Sequence, residues 1–293
     1  MTASVPVTAA RAGVALMLLG MFLFALNDLM GKWLVATYSV GQVLMIRSLA
    51  AMAVLAPFFL RAGRAALTAP PMRPLHALRA GLATFEVFAF YAAVRALPLA
   101  DVMTYWLAAP IYVAALSPFL LGERVGWRRW TAIAAGFVGV VVALDPSAQA
   151  LTPAALWSLA GSLAFGLMMV TGRMLRGAPD VTLAFWQLSG ALVVGLATAA
   201  WGWAPPTALD LGLLALLGVV ASVAHMCVTR ALKLADAAAV TPLQYTLLVW
   251  AIVLGWPVFG DVPRPEMLAG AAIIVAAGLF IFFRERQAAR RSA

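Results

Sequence analysis

Three ionisable side chains stand inside long apolar stretches of this sequence: Asp28, Arg47 and Glu86. Glu86 is the sharpest case, because Phe85 and Phe88 flank it in the middle of an apolar segment. Burial away from water favours the neutral form of a carboxyl group. Glu86 could therefore carry a proton or bind a cationic group. The structural alternative is that its carboxyl group pairs with a donor on a neighbouring helix.

Asp28 and Arg47 lie at similar distances from the turn between the first two apolar segments. We expect the two side chains to meet as an ion pair, with Asn27 as a hydrogen-bonding partner beside them. The alternative is that Arg47 holds a carboxylate of a bound molecule, because the planar guanidinium fork matches carboxylate geometry. These three residues form the predicted polar group of the first two segments.

A further set of candidates combines amide, imidazole and aromatic side chains. Gln244 and Tyr245 share a predicted helix face with Thr241 and Leu248, because the four follow i, i+3, i+4, i+7 spacing. Such a face suits a flat or cationic organic ligand, although helix packing would also explain it. His225 could relay a proton or bind a ligand, or be a satisfied core histidine. The other candidate ligand-binding residues are Tyr91, Tyr105, Trp106, Trp157, Trp186 and Gln187.

Metal and cofactor chemistry finds little support in the sequence. The single cysteine, Cys227, allows no disulfide framework and no thiolate metal site within one chain. His76 and His225 are far apart and lack metal-binding spacing. We expect no metal and no cofactor. A phosphate-binding G-x-x-x-x-G-K-[ST] sequence is also absent, so ATP is not expected to be the direct energy source.

The elements that position these side chains follow from composition. Of 293 residues, 65% are hydrophobic and 11% are charged, whereas soluble domains are about half apolar and about a quarter charged. Lipid must therefore be the solvent for most of the chain. A membrane-spanning helix needs about 20 mainly apolar residues. Ten segments qualify: 13–33, 40–60, 77–97, 100–121, 129–145, 152–173, 181–202, 209–231, 237–259 and 266–284. The sequence thus predicts an all-α, multi-pass membrane protein.

The basic residues predict the orientation of these spans. If the N-terminus is cytoplasmic, most Arg and Lys residues fall on the cytoplasmic side, which matches the positive-inside rule. Only Lys32, Arg95 and Arg264 fall on the other side, and the first two are expected to extend towards the membrane surface. Both termini are then cytoplasmic. The net charge of +9 indicates the anionic bilayer surface, rather than nucleic acid, as the partner.

An internal repeat divides the chain into halves. The sequence Arg-Ala-Leu-Pro-Leu-Ala-Asp at 95–101 returns as Arg-Ala-Leu-Lys-Leu-Ala-Asp at 230–236, with six of seven positions identical. Leu121-Gly122-Glu123 and Phe259-Gly260-Asp261 form a second matching pair. The predicted halves are 1–147 and 148–293, with five spans each. Because five is odd, the second half enters the membrane from the opposite side, and the repeat is inverted.

The chain resembles the EamA family of the drug/metabolite transporter superfamily. In the first half the resemblance rests on Ala100-Asp101, Ala109-Pro110, Leu121-Gly122-Glu123-Arg124-Val125 and Gly136-Phe137-Val138-Gly139. In the second half it rests on Thr241-Pro242-Leu243-Gln244-Tyr245, Phe259-Gly260-Asp261 and Gly270-Ala271-Ala272. The resemblance implies two five-helix halves that alternate access to a central substrate cavity. Inverted repeats commonly place such a site near the bilayer midplane.

The predicted function is therefore secondary transport of a small organic metabolite across a bacterial-type inner membrane, with or without proton coupling. The resemblance implies an amino acid, a vitamin or an organic cation as substrate. A membrane-embedded enzyme acting on a lipid-linked substrate is the alternative from another class, but it does not need an inverted repeat. Within transport, a broad-spectrum exporter of drugs or toxic metabolites is the alternative. The sequence predicts neither the transport direction nor the oligomeric state.

Overall fold

The computed structural model describes residues 7–122, 126–144, 152–234 and 240–292, and this part of the chain is built from helices without strands. The helices are α1 Val7–Val35, α2 Val40–Ala62, α3 Arg64–Thr68, α4 Arg73–Val94, α5 Leu99–Trp106, α6 Ala109–Leu120, α7 Trp127–Leu144, α8 Pro153–Met174, α9 Asp180–Thr198, α10 Ala208–Leu234, α11 Thr246–Phe259 and α12 Pro265–Ser292. A 3₁₀ turn, Thr241–Tyr245, precedes α11. The all-α fold class is confirmed.

Nine stretches of the described chain are long and apolar enough to cross a membrane. Two of them are composite: α5 and α6 together span Leu99–Leu120, and the 3₁₀ turn with α11 spans Pro242–Phe259. The remaining predicted span, 129–145, corresponds to α7, whose apolar part is the shorter segment Trp130–Ala143. The short helix α3, between α2 and α4, was not predicted, because five residues carry no hydropathy signal of their own.

Local sequence explains where several helices begin and end. Ser39 caps α2 by accepting a hydrogen bond from the Gln42 backbone N–H at 3.2 Å, and Thr152 caps α8 in the same way. Side-chain oxygens at this position satisfy N–H groups that lack a partner within the helix. Gly260 ends α11 with a φ of 69°, a left-handed conformation that glycine adopts without a Cβ clash.

The main helix contacts join the two halves of the chain in a symmetric pattern. The first span of one half packs against the third span of the other, as α1 with α10 and α8 with α4. The second spans pack against each other as α2 with α9, and the fifth spans as α7 with α12. Exchanging the halves returns the same set of pairs, as expected for two repeats related by a two-fold axis.

Glycines permit close packing in the two pairs that join equivalent spans, α2 with α9 and α7 with α12. A Cβ atom on Gly195 of α9 would lie 2.6 Å from the Met45 backbone nitrogen of α2. One on Gly270 of α12 would lie 2.6 Å from Ala143 Cβ of α7. Distances this short are possible only because glycine lacks a side chain, and small residues commonly mediate close helix packing in membranes.

Ionic contacts tie the halves together at the end of the bundle opposite the N-terminus. Lys32 of α1 forms an ion pair with Asp261, which follows α11. Lys32 also donates to the Leu97 carbonyl at 3.1 Å, and the Leu99 backbone N–H donates to Asp261 at 3.1 Å. The Lys32 side chain is 13% exposed, so its ammonium group is held mainly by protein contacts at this end of the bundle. We call these contacts the Lys32–Asp261 tie.

A second contact reinforces the same end. Arg264, at the start of α12, approaches Asp101 of α5 at 3.4 Å and the Ala143 carbonyl of α7 at 3.5 Å. Asp101 is almost fully buried, and it belongs to the seven-residue motif that repeats in the sequence. Residues of both halves thus meet at this end through two opposite-charge pairs.

Candidate substrate-binding cavity

Both composite spans are interrupted at matching places. The helix breaks between α5 and α6 at Leu107 and Ala108, and Pro110 just beyond has no N–H to bond back to the Trp106 carbonyl. The offset that aligns Asp101 with Asp236 aligns residues 106–110 with the 3₁₀ turn 241–245. Interrupted helices at equivalent points of two repeats are typical of transporter binding sites.

Five side chains from four helices form a polar cluster beside the first interruption: Asp28, Arg47, Glu86, Tyr91 and Trp106. The Trp106 indole N–H donates to Glu86 Oε1 at 2.6 Å. Arg47 Nη1 donates to the Tyr91 hydroxyl at 2.6 Å, with the guanidinium over the Tyr91 ring at 5.5 Å. The charges of Glu86 and Arg47 both act on Asp28. The structure therefore brings five of the predicted residues together; we call them the polar cluster.

Close packing fixes the two rings of the cluster. A Cβ atom on Gly161 of α8 would lie 2.6 Å from Trp106 Cη2, and one on Gly31 of α1 would lie 3.2 Å from Tyr91 Cζ. Phe90 contacts both rings edge-on, with centroid distances of 5.4 Å to Trp106 and 5.5 Å to Tyr91. The Trp106 indole N–H and the Tyr91 hydroxyl are thereby held beside Glu86 and Arg47.

The charged members of the cluster face an open space inside the bundle. Asp28, Arg47 and Glu86 are only half-buried, although each lies well inside a long helix. We infer that they border a cavity inside the bundle, because Arg47 and Glu86 contact the buried residues Tyr91 and Trp106. Asp28, Arg47 and Glu86 lie seven or eight residues from the nearer ends of α1, α2 and α4, which is about 10 Å at 1.5 Å per residue. They therefore lie inside the bundle, in the half opposite the N-terminus.

The expected ion pair between Asp28 and Arg47 is not formed. Within the described ranges no hydrogen bond or ion pair joins them, and Arg47 binds Tyr91 instead. The Asp28 carboxylate has no hydrogen-bonding partner among the described residues. Asn27 points away to α10, where its side-chain amide donates to the Leu217 carbonyl at 2.6 Å. The result is an accessible acidic group within the cavity.

His225 of α10 borders the cavity on the side nearer the N-terminal end of the bundle. It is exposed, yet the charges of Arg47 and Arg79 from α2 and α4 act on it. Charged residues of two other helices are thus near enough to influence the exposed ring. Phe24 of α1 meets the imidazole edge-on at a centroid distance of 4.7 Å.

Two predicted site residues lie instead along a lateral groove between α4, α8 and α9, with a volume of about 660 Å³. Trp157 packs against Phe85 and Phe88, at 5.9 Å from each ring. Trp186 donates its indole N–H to the Leu67 carbonyl of α3 at 2.8 Å. This groove has an almost wholly apolar surface, and the structure does not bring these tryptophans to the polar cluster.

The remaining predicted residues also lie apart from the cluster. Tyr105 is buried in the core at 1% exposure. Gln187 accepts a hydrogen bond from Arg79 at 3.4 Å towards the N-terminal end. The Tyr245 hydroxyl packs directly against Gly278 of α12, and Gln244 is half-buried in the 3₁₀ turn. Their contacts are with protein, and their part in ligand binding stays a prediction.

Comparison with known sequences gives two matches to one family. The sequence profile of the EamA-like transporter family matches residues 11–144 and again residues 152–283. Each half therefore carries one copy of the same family unit.

Several named relatives extend over most of the chain. An S-adenosylmethionine uptake transporter of Rickettsia bellii is 28% identical over 278 residues, covering 94% of this chain and 95% of the relative. A riboflavin transporter of Rhizobium johnstonii is 36% identical over 242 residues, covering 81% and 79%. A riboflavin transporter of Vibrio cholerae is 29% identical over 220 residues, covering 74% of each chain. These names disfavour the membrane-embedded enzyme.

One solved crystal structure shares the fold. It superposes with a TM-score of 0.60, covers 94% of this chain and 96% of the other, and is 20% identical in sequence. This similarity supports the helical architecture over the full length.

Proposed function

Because the chain belongs to the EamA-like transporter family, we propose that its cavity carries a small amphipathic metabolite with a positive centre, such as an S-adenosylmethionine-like sulfonium or an organic ammonium. The chain is a multi-pass transporter of the bacterial inner membrane and moves a small metabolite. The charge and shape of that metabolite are inferred from the polar cluster.

The observation that carries this proposal is the accessible Asp28 carboxylate. It has no hydrogen-bonding partner among the described residues, and Glu86 stands close enough for the two charges to interact. Two carboxylates against one guanidinium give the ionised cluster a net negative charge, which attracts a cation.

Arg47 gives the same site a means of recognising a zwitterion. Among the described residues, one of its nitrogens is engaged in a hydrogen bond, with Tyr91. Its remaining N–H groups can bind a substrate carboxylate with the fork geometry that favours guanidinium–carboxylate pairs. An amino-acid-like substrate would then place its ammonium or sulfonium near Asp28 and its carboxylate near Arg47.

Glu86 is the candidate proton carrier of this mechanism. Its Oε1 accepts from the Trp106 indole, and its second oxygen has no hydrogen-bonding partner in the part of the chain that the structure describes. A cationic substrate and a proton would both neutralise the two carboxylates, so binding one favours release of the other. Such competition couples a substrate cation to an opposing proton movement.

The Lys32–Asp261 tie supports an arrangement that is closed at the end opposite the N-terminus. By the positive-inside rule the N-terminal end faces the cytoplasm, because Arg61, Arg64, Arg73, Arg173 and Arg176 lie there. The tied end is then the periplasmic end. Opening it requires the ionic contacts between the halves to separate, which is the outward-facing step of alternating access.

A flat, neutral vitamin is the second candidate substrate. It is favoured by the Rhizobium johnstonii relative, which is named a riboflavin transporter and is 36% identical to this chain. Edge-packed aromatic rings around the cavity would also suit a flat ring system. A neutral vitamin does not need the Asp28 charge. The effect of removing that charge therefore distinguishes the two candidate substrates.

The test is uptake into proteoliposomes with radiolabelled S-adenosylmethionine and, separately, riboflavin. We expect the wild type to transport the sulfonium, and Asp28→Asn to lower its uptake about tenfold or more, since hydrogen bonds to charged groups contribute about 1.5–3 kcal/mol. Asp210→Asn is the matched control, because that carboxylate binds Tyr38 and Thr207 outside the cavity. Transport of riboflavin alone, unaffected by Asp28→Asn, would overturn the cationic substrate.

A further inference from the structure

We infer that the cavity has a second subsite, centred on His225 and Phe24, that binds a flat nitrogen heterocycle of the substrate through a hydrogen bond to His225 Nε2. This inference rests on the proposed function and adds a recognition element for the uncharged part of the substrate. We call the two residues the heterocycle subsite.

The backbone fixes which nitrogen of His225 is available. Nδ1 lies 2.9 Å from the Ala221 carbonyl oxygen one turn earlier in α10. A carbonyl oxygen can only accept, so Nδ1 carries the hydrogen, and Nε2 of the neutral ring keeps its lone pair. No partner for Nε2 exists among the described residues. His225 therefore offers one unused hydrogen-bond acceptor.

The ring is directed inward. Its neighbour Ala224 is fully buried against α1, where its carbonyl would lie 3.3 Å from a Cβ atom on Gly20. Met226 on the other side is 52% exposed and faces the lipid. His225 lies between them, and its ring meets Phe24 of α1 at a centroid distance of 4.7 Å. The ring therefore lies on the side of α10 that contacts Phe24 of α1.

Phe24 supplies a wall for the same subsite. Its ring stands at 84° to the imidazole plane, so the two rings form a corner. A flat heterocycle placed against Phe24 can bring an edge N–H towards Nε2. Offset and edge-on arrangements of this kind are the favoured geometries between aromatic rings.

The spacing between the two subsites limits the ligand. Phe24 precedes Asp28 on α1 by four residues, which corresponds to about 6 Å along the helix axis. One molecule can therefore engage both if a few bonds separate its positive centre from its ring. The ring must carry an N–H donor at its edge, as an amino-substituted purine does. A heterocycle without such a donor leaves the Nε2 acceptor unpaired.

The test compares two sulfonium amino acids on purified protein by calorimetry. S-adenosylmethionine carries an aminopurine, whereas S-methylmethionine has the same charged groups without a ring. His225→Leu is expected to weaken S-adenosylmethionine about tenfold and to leave S-methylmethionine unchanged. His225→Gln, which keeps an acceptor oxygen, is expected to recover part of the loss. Met226→Leu on the lipid face is the control.

The outcomes separate this inference from the proposed function. Equal weakening of both ligands by His225→Leu would show a general structural role and overturn the heterocycle subsite. Unchanged S-adenosylmethionine binding would overturn it too, with the cationic substrate still standing. If wild-type protein binds neither sulfonium but binds riboflavin in a His225-dependent way, the subsite is supported and the cation proposal fails.

A ligand-side comparison tests the inference if His225→Leu does not fold. Wild-type protein is titrated with S-adenosylmethionine and with its analogue that lacks the purine amino group. Loss of the N–H donor is expected to weaken binding about tenfold. Equal affinities for the two ligands would contradict the hydrogen bond to Nε2.

Discussion

The contact between Trp106 and Glu86 shows how single residues prepare this cavity. The indole N–H holds one carboxyl oxygen at 2.6 Å, and this bond can persist whether or not the other oxygen carries a proton. Gly161 of α8 packs closely against the indole. Glu86 can therefore gain and lose a proton without a change of position, which a group that alternates between a proton and a substrate needs.

Removing the ionisable group of Glu86 should make the transport rate less dependent on pH. We expect Glu86→Gln to give transport rates that depend clearly less on pH, because the amide cannot take up a proton and Asp28 is then the remaining carboxylate of the cluster. Initial uptake rates in proteoliposomes over a series of buffers measure this. Trp106→Phe is the matched control, since it removes the indole donor and retains the carboxyl group. A pH profile for Glu86→Gln that matches the wild type would remove Glu86 from the coupling mechanism.

The sequence identified the members of the polar cluster but not their partners. A charge within an apolar run stands out because burying it is unfavourable, and Asp28, Arg47 and Glu86 were found in this way. Pairing depends on how each helix is rotated, which hydropathy does not report. Arg47 meets Tyr91 and not Asp28. The accessible face of His225 likewise depends on the packing of α10 against α1.

The two segments of the interrupted span α5–α6 contact different parts of the bundle. The segment before the break carries Asp101, which contacts Arg264 at the tied end, and Trp106, which contacts Glu86. The segment after the break packs against α7 and α8. One short helix thus connects the contacts at the tied end to the polar cluster. Movement of α5 would reach both places at once.

Weakening the Lys32–Asp261 tie should open the periplasmic end. Cys227 is the only cysteine in the sequence, so Cys227→Ser gives a background in which Val102→Cys is a single reporter. Val102 is fully buried in α5. We expect Lys32→Ala, Asp261→Ala and the double variant each to raise its labelling rate by a membrane-impermeant maleimide several-fold.

The double variant provides the control for this prediction. If the two side chains act through their mutual contact, the double change should have about the effect of either single change. Additive effects would mean that Lys32 and Asp261 act independently. Unchanged labelling in all three variants would show that the tie does not hold this end closed.

Element positions were largely predictable, whereas the interruptions were not. Spans of about 20 apolar residues can be identified by their hydropathy. A break such as that at Leu107 lies within an equally apolar run, and only Pro110 hints at it. The short helix α3 follows Gly63, whose φ of 80° ends α2, and neither its presence nor its contact with Trp186 could be read from composition.

For the whole molecule, the packing between halves decides stability. All four principal pairs join one half to the other, and the self-symmetric pairs depend on glycine contacts. The sequence repeat predicted two equivalent halves. It could not predict which helices meet, because a seven-residue match and a pair of short motifs define order along the chain but not neighbours in space.

Gly270→Ala should destabilise the protein measurably. The added Cβ atom would lie 2.6 Å from Ala143 Cβ, so α7 and α12 must move apart, and overpacking of this kind costs about 1–3 kcal/mol. Thermal unfolding in detergent should show a lower midpoint. Gly212→Ala is the matched control, because no atom lies within 4 Å of its added Cβ. Equal midpoints for both variants would contradict the close packing of these helices.

The interleaved pairing also bears on how such a protein could arise. Each half leaves its main apolar faces uncovered until the other half covers them, and the pattern of pairs is unchanged when the halves trade places. Two copies of one five-helix ancestor, inserted in opposite directions, would have satisfied the same contacts. Joining the two genes then fixes the stoichiometry and frees each copy to specialise. The five-residue polar cluster, drawn entirely from the first half, is the mark of that specialisation.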